Sequence, residues 1–113
     1  MNVVDSSGWL EFFADGPNVS VFRVPIVNTS ELIVPAISIY EVYKRLLQQI
    51  DKDSALRAVS LMKMGQVVEL NASLALDAAD ISVDLKIPMA DSIILATARQ
   101  YNATLWTQDS DFQ

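Results

Sequence analysis

The sequence contains no cysteine and no histidine, and each absence removes a class of chemistry. Without cysteine there is no disulfide framework, no thiolate metal site and no thiol nucleophile. That fits a cytoplasmic protein, the location expected here. Without histidine neither a Ser-His-Asp triad nor a His-ligated zinc site can form. Any metal must be held by oxygen, which favours Mg²⁺ or Mn²⁺. Long apolar runs are also lacking. The longest, Leu32 to Tyr40, is interrupted by Pro35 and Ser38 and is too short to span a membrane. No basic segment followed by an apolar stretch opens the chain, so no secretory signal is expected. Positive charge is scarce: 8 Lys and Arg stand against 14 Asp and Glu, a net charge of −6. Such a chain binds nucleic acid weakly unless a metal or a local basic patch compensates.

What is present suffices for one domain. The 113 residues are 51% hydrophobic, far above a disordered chain and enough for a single core. No internal repeat, low-complexity segment or linker divides residues 1–113. Val3-Val4 reads as a short buried strand ending at Asp5. Ser6 or Ser7 is expected to cap a helix carrying Trp9, Leu10, Phe12 and Phe13, stopped by Gly16-Pro17. Val19, Phe22 and Ile26 have helical spacing, although Pro25 weakens the second half. Leu32-Ile33-Val34 is the second strand, closed by Pro35. Ser38 is expected to start a helix striped by Ile39, Val42, Tyr43, Leu46, Leu47 and Ile50. Another helix is expected over 54–64, with Leu56, Val59, Leu61 and Met62 inward and Gly65 at its end. Val67 to Leu70 forms the third strand. Asn71 or Ser73 caps a helix to Leu85, Ile87-Pro88 breaks it, and a last helix runs over 89–101. Thr104-Leu105-Trp106 is the fourth strand. Short strands alternating with helices predict a parallel sheet covered on both faces.

Four acids, Asp5, Glu41, Asp91 and Asp109, fall at strand ends or early in the following helices. Right-handed crossovers bring those positions to one sheet edge, where ligands bind in open α/β folds. Close carboxylates repel by up to about 4 kcal/mol at an effective dielectric near 20. Such a cluster persists only if a divalent cation offsets the repulsion or protons neutralise it, and a cation suggests phosphate chemistry. Each acid also has a structural reading. Asp5 is a competent helix cap, although Ser6 and Ser7 can serve. Ser38-Ile39-Tyr40-Glu41 fits a capping box, with Glu41 reaching back to the Ser38 amide. Asp91 suits the positive end of its helix. Asp109 and Asp111 suit a turn. Their equivalent edge positions are what point to a shared site.

Other features have plainer readings. Glu11, Asp15, Asp51, Asp53, Asp77, Asp80 and Asp84 read as solvated surface. Trp9, Phe12, Phe13 and Phe22 read as core or interface. Four of the cations, Lys44, Arg45, Lys52 and Arg57, fall between 44 and 57. They read as a solvated helix face, with an RNA-backbone contact or an acidic partner segment as the alternatives.

Four segments together resemble a known family. Val3-Val4-Asp5-Ser6-Ser7, Val34-Pro35 leading to Ser38-Ile39-Tyr40-Glu41-Val42, Pro88-Met89-Ala90-Asp91-Ser92-Ile93-Ile94, and Leu105-Trp106-Thr107-Gln108-Asp109-Ser110-Asp111-Phe112 look like the signature segments of PIN domains. The nearest likeness is to the VapC-like toxins of toxin–antitoxin pairs. The resemblance implies a three-layer α/β/α sandwich around a central parallel sheet of four or five short strands. It also implies a metal-dependent ribonuclease leaving 5′-phosphate and 3′-hydroxyl ends. Asp5, Glu41 and Asp91 would be the principal acidic ligands for Mg²⁺ or Mn²⁺. Asp109 matches the more variable fourth acid, with Asp111 as fallback, and Ser6 matches a supporting hydroxyl. The implied partners are an RNA substrate, a VapB-like antitoxin and a second copy of the chain. PIN domains usually continue past the Asp-x-Asp-Phe segment into a further turn and strand, so a domain lacking that strand is expected.

Two other classes compete. A phosphotransfer site with Asp5 as nucleophile would want a second acid two residues on, where Ser7 stands, or an acidic pair and a late lysine. A non-catalytic α/β module that only holds an antitoxin or RNA would keep the same fold without the reaction.

Overall fold

Four short parallel strands form the sheet in a computed structural model that describes residues 1–108; residues 109–113 lie outside the described residues. The strands are β1 (Asn2–Val4), β2 (Leu32–Pro35), β3 (Gln66–Val68) and β4 (Thr104–Trp106), in the spatial order β3-β2-β1-β4. Asn2 pairs with both Leu32 and Thr104, and Val34 with Val67. Six helices connect them: α1 (Ser6–Phe13), α2 (Val19–Val27), α3 (Ala36–Gln49), α4 (Lys52–Met62), α5 (Ala72–Leu85) and α6 (Met89–Gln100).

The strand order explains the layers. The chain steps from β1 to β2 to β3 in one direction, then jumps back past β1 to β4. Right-handed crossovers therefore put α1–α4 on one face and α5 and α6 on the other. The period of two along each strand serves both faces. Val3 and Ile33 pack with α5 and α6, whereas Val4, Leu32 and Val34 pack with α1–α4. All five are at most 1% exposed, which is why the strands read as unbroken apolar runs. Full burial of each such side chain contributes about 1.5–3 kcal/mol. The result is the α/β/α sandwich expected from the sequence.

Local structure departs from the expectations at three helix starts. Asp5, not Ser6 or Ser7, caps α1: its side chain accepts from the Gly8 amide. Helix α3 begins at Ala36, two residues before Ser38, with Pro35 in extended conformation as its cap. Pro fixes its own φ and needs no amide partner there. The capping box at Ser38 and Glu41 therefore does not form. Helix α4 begins at Lys52, and Asp51, expected as solvated surface, caps it through the Ser54 amide at 2.7 Å. Its buried stripe is Ala55, Ala58 and Met62, while Leu56 and Leu61 face solvent. Ala55, Ala58 and Met62 follow one another by three and four residues and form the inward stripe, and Leu56 and Leu61 fall outside it. Gly65 is not a left-handed cap; a Cβ there would come within 2.9 Å of the Leu32 carbonyl oxygen, so the residue allows close approach to β2.

Candidate functional site

The jump from β3 to β4 leaves a crevice between β1 and β4 at the carboxyl ends of the strands, the usual ligand position in an open α/β sheet. Asp5 lies in it. Its amide donates to the Trp106 carbonyl at 3.1 Å, extending the β1–β4 ladder by one residue. The indole N–H of Trp106 donates to the Asn2 side-chain oxygen at 2.9 Å, a second tie across the same pair.

The Asp5 side chain is only 2% exposed, and a buried carboxylate needs hydrogen-bond donors. It has them on both oxygens. Oδ1 accepts from the Ser7 hydroxyl and the Gly8 amide, each at 2.8 Å. Oδ2 accepts from the Thr107 hydroxyl. The orientation of Asp5 is thus fixed from α1 and from the segment after β4. Gly8 has no room for a side chain: a Cβ would lie 2.6 Å from Phe22 and 2.8 Å from Val4. That absence lets the first turn of α1 settle against the core beneath Asp5.

Glu41 stands in the second turn of α3. Instead of capping its own helix, it accepts from the Ser6 hydroxyl at 2.6 Å. Ser6 is 35 residues away in sequence, so this bond joins α1 to α3. Asp91 lies in the first turn of α6 and is half-buried, where the helix dipole favours negative charge. Asp5, Ser6, Ser7, Glu41 and Asp91 line one open cleft of about 410 Å³. The structure therefore brings three of the four expected acids to one place, from three separate elements. Asp109 and its fallback Asp111 lie outside the described residues.

The donor set is entirely oxygen, which suits hard divalent cations such as Mg²⁺ or Mn²⁺. Among the described residues no three acidic side chains stand close enough to hold a metal ion. Asp5 accepts instead from the hydroxyl groups of Ser7 and Thr107, and Glu41 from that of Ser6.

The same cleft carries residues other than the acids. Tyr40, Lys44, Arg45 and Gln48 of α3 line it with Leu10. The signal was in the sequence. Tyr40, Lys44 and Gln48 recur every four residues, and Arg45 follows Glu41 by four, so all share the helix face that presents Glu41. The expected reading of Lys44 and Arg45 as solvated surface is accurate for exposure but leaves out where they point.

Known structures share this fold. VapC20 of Mycobacterium tuberculosis, a toxin that cleaves the sarcin–ricin loop, superposes with a TM-score of 0.82 at 16% identity, over 99% of this chain and 92% of that one. A toxin–antitoxin complex from Klebsiella pneumoniae gives 0.80 at 18% identity, over 99% and 90%. FitAcB from Neisseria gonorrhoeae gives 0.77 at 21% identity, over 98% and 89%. At these identities the likeness concerns the fold. No curated protein sequence matches the chain. The PIN domain profile matches residues 3–113, so this chain belongs to the PIN domain family.

Proposed function

We propose that this PIN domain is a metal-dependent endoribonuclease and the toxin of a toxin–antitoxin pair, acting in the cytoplasm. The observation that carries the reading is the meeting of Asp5, Glu41 and Asp91 in one cleft. Acids from three elements are not assembled for capping, since only Asp5 caps a helix. Family membership and the fold shared with VapC20 add support.

Asp5, Glu41 and Asp91 would hold one or two Mg²⁺ or Mn²⁺ ions, with Asp109, or Asp111 in its place, completing the set. Such an ion supplies positive charge to the phosphate and lowers the pKa of a water nucleophile. The chain's own contribution is orientation. Ser7, the Gly8 amide and Thr107 fix both oxygens of Asp5, and Ser6 fixes Glu41. Little reorganisation is then needed when charge develops on the phosphate.

The toxin–antitoxin complex from Klebsiella pneumoniae among the structural neighbours supports an antitoxin partner. Val21, Val24 and Val27 of α2 are each at least 50% exposed. They offer an apolar strip for that antitoxin or for a second copy of the chain. No helix of the described residues is long and apolar enough to cross a membrane.

The test is cleavage of RNA by the purified protein in Mn²⁺. Activity should vanish with EDTA and fall about a hundredfold or more in Asp5→Asn. Cleavage that survives both would rule out the carboxylate–metal mechanism.

A second reading is a non-catalytic module that holds an antitoxin or RNA without cutting. It is favoured by one observation, the lack of any three acids within reach of one metal among the described residues. Saturating Mn²⁺ separates the two. An intact site raises Tm by on the order of 10 °C at a hundredfold excess over Kd, whereas a degenerate module shows no shift.

A further inference from the structure

Tyr40 is 59% exposed at the rim of the acidic cleft. The Lys44 ammonium lies 5.7 Å from the centre of its ring, close enough for a cation–π attraction that orders both side chains. Arg45, the next residue, lines the acidic cleft and also a neighbouring one of about 420 Å³ that runs past Leu10, Phe13 and Gln49. Neither cation forms an ion pair among the described residues. Arg45 has an obvious candidate in Glu41, four residues earlier in the favourable orientation. Glu41 takes the Ser6 hydroxyl instead. In a chain of net charge −6, these two cations beside three carboxylates make a cleft of mixed sign.

We propose that Tyr40, Lys44 and Arg45 are substrate-positioning residues. An unpaired RNA base stacks on the Tyr40 ring, while Lys44 and Arg45 hold phosphates next to the linkage being cut. The proposal rests on the ribonuclease reading above and adds the path of the strand across the outer face of α3. Stacking on an exposed ring tolerates any base, and flanking cations track the backbone. Arg45, shared by two adjoining clefts, carries the strand from one into the other. A basic partner segment is a poor occupant of this wall, because Lys44 and Arg45 would repel it. An acidic peptide would use the cations but not the aromatic ring, and a solvated face would use neither.

The experiment uses the full chain in Mn²⁺ and a single-stranded RNA oligonucleotide containing 2-aminopurine, whose fluorescence is quenched by stacking. Wild type, Tyr40→Ala, Tyr40→Phe and the Lys44→Ala/Arg45→Ala pair are compared. All three positions are exposed, so the variants should fold. Tyr40→Ala should raise KM about tenfold with little change in kcat and abolish the quench. Tyr40→Phe should restore both. The double variant should flatten the slope of log KM against log salt by about 1.4, two single-strand phosphate contacts. If wild type cleaves but neither KM, quench nor salt slope moves, the proposal is overturned and the ribonuclease reading stands. If wild type cleaves no RNA, both fall.

Discussion

The side of the sheet covered by α1–α4 is packed with aromatic rings, and the side covered by α5 and α6 is buried almost wholly with aliphatic side chains. On the first side Trp9 and Phe22 are buried, with Phe12 and Phe13 partly so, and Trp9 stacks on Phe13 at 5.8 Å. On the second, the buried set is Val, Ile, Leu and Ala. The site is divided just as unequally. The aromatic side supplies Asp5 and Glu41 and the Tyr40, Lys44 and Arg45 wall, and the aliphatic side supplies Asp91. Aliphatic packing tolerates exchange if volume is kept. Aromatic rings have fewer arrangements, and here they sit under the two helices whose hydroxyl-to-carboxylate bond couples α1 to α3. The aromatic side thus holds two of the three acids, and the aliphatic side holds the third.

The largest expected effect tests that contrast in stability. Trp9→Ala should cost about 3–5 kcal/mol in urea unfolding, whereas Ile94→Val on the opposite face should cost about 0.5–1.5 kcal/mol. Equal losses would erase the distinction, apart from the volume removed. A smaller effect separates the two roles of Asp5. Asp5→Ala removes the cap and should cost about 0.5–2 kcal/mol, while Asp5→Asn keeps a capping oxygen and should cost only a few tenths. Both should lose cleavage. Asp5→Asn with wild-type cleavage would make Asp5 a cap and nothing more.

The smallest effect lies far from the site, at the start of α4. Asp51 is held below its ordinary value of 3.8 by the Ser54 amide first, then by the Ser54 hydroxyl and the Arg57 cation. A carboxyl whose pKa is lowered by folding adds stability above its unfolded value and loses it as pH falls through the folded one. Asp51→Ala should therefore lower Tm at neutral pH, and the difference from wild type should shrink below pH 3.8. A difference that stays constant with pH would show that the charge of Asp51 is not what caps the helix.

The fold was legible because its signals are redundant. Val3-Val4, Leu32-Ile33-Val34 and Val67-Val68 are apolar on both faces, and helical stripes separate them, so only a doubly covered parallel sheet buries them all. Helix starts were less legible because several residues compete to cap. Asp5 outdid Ser6 and Ser7, and Pro35 fixed the start of α3 before Ser38 could. The start of α3 also decided the role of Glu41. Two residues of extra helix moved it out of reach of the Ser38 amide and left it for Ser6. Three acids could be placed in one cleft because topology alone brings strand ends together. Tyr40 and its neighbouring cations were harder to read. Exposure on a helix looks the same in sequence whether the face meets solvent or a cleft, and only the packing of α3 beside α1 tells them apart.

If Asp5, Glu41 and Asp91 act as one site, all three bear on the same bound cation. Mn²⁺ binding, followed by the loss of the free-ion signal in electron paramagnetic resonance, tests this without depending on a choice of RNA. Asp5→Asn, Glu41→Gln and Asp91→Asn should each weaken binding at least about tenfold, as expected when a charged oxygen ligand is lost, and the pairwise combinations should weaken it by less than the product of the singles. Wild-type Mn²⁺ affinity in all three single variants would contradict it.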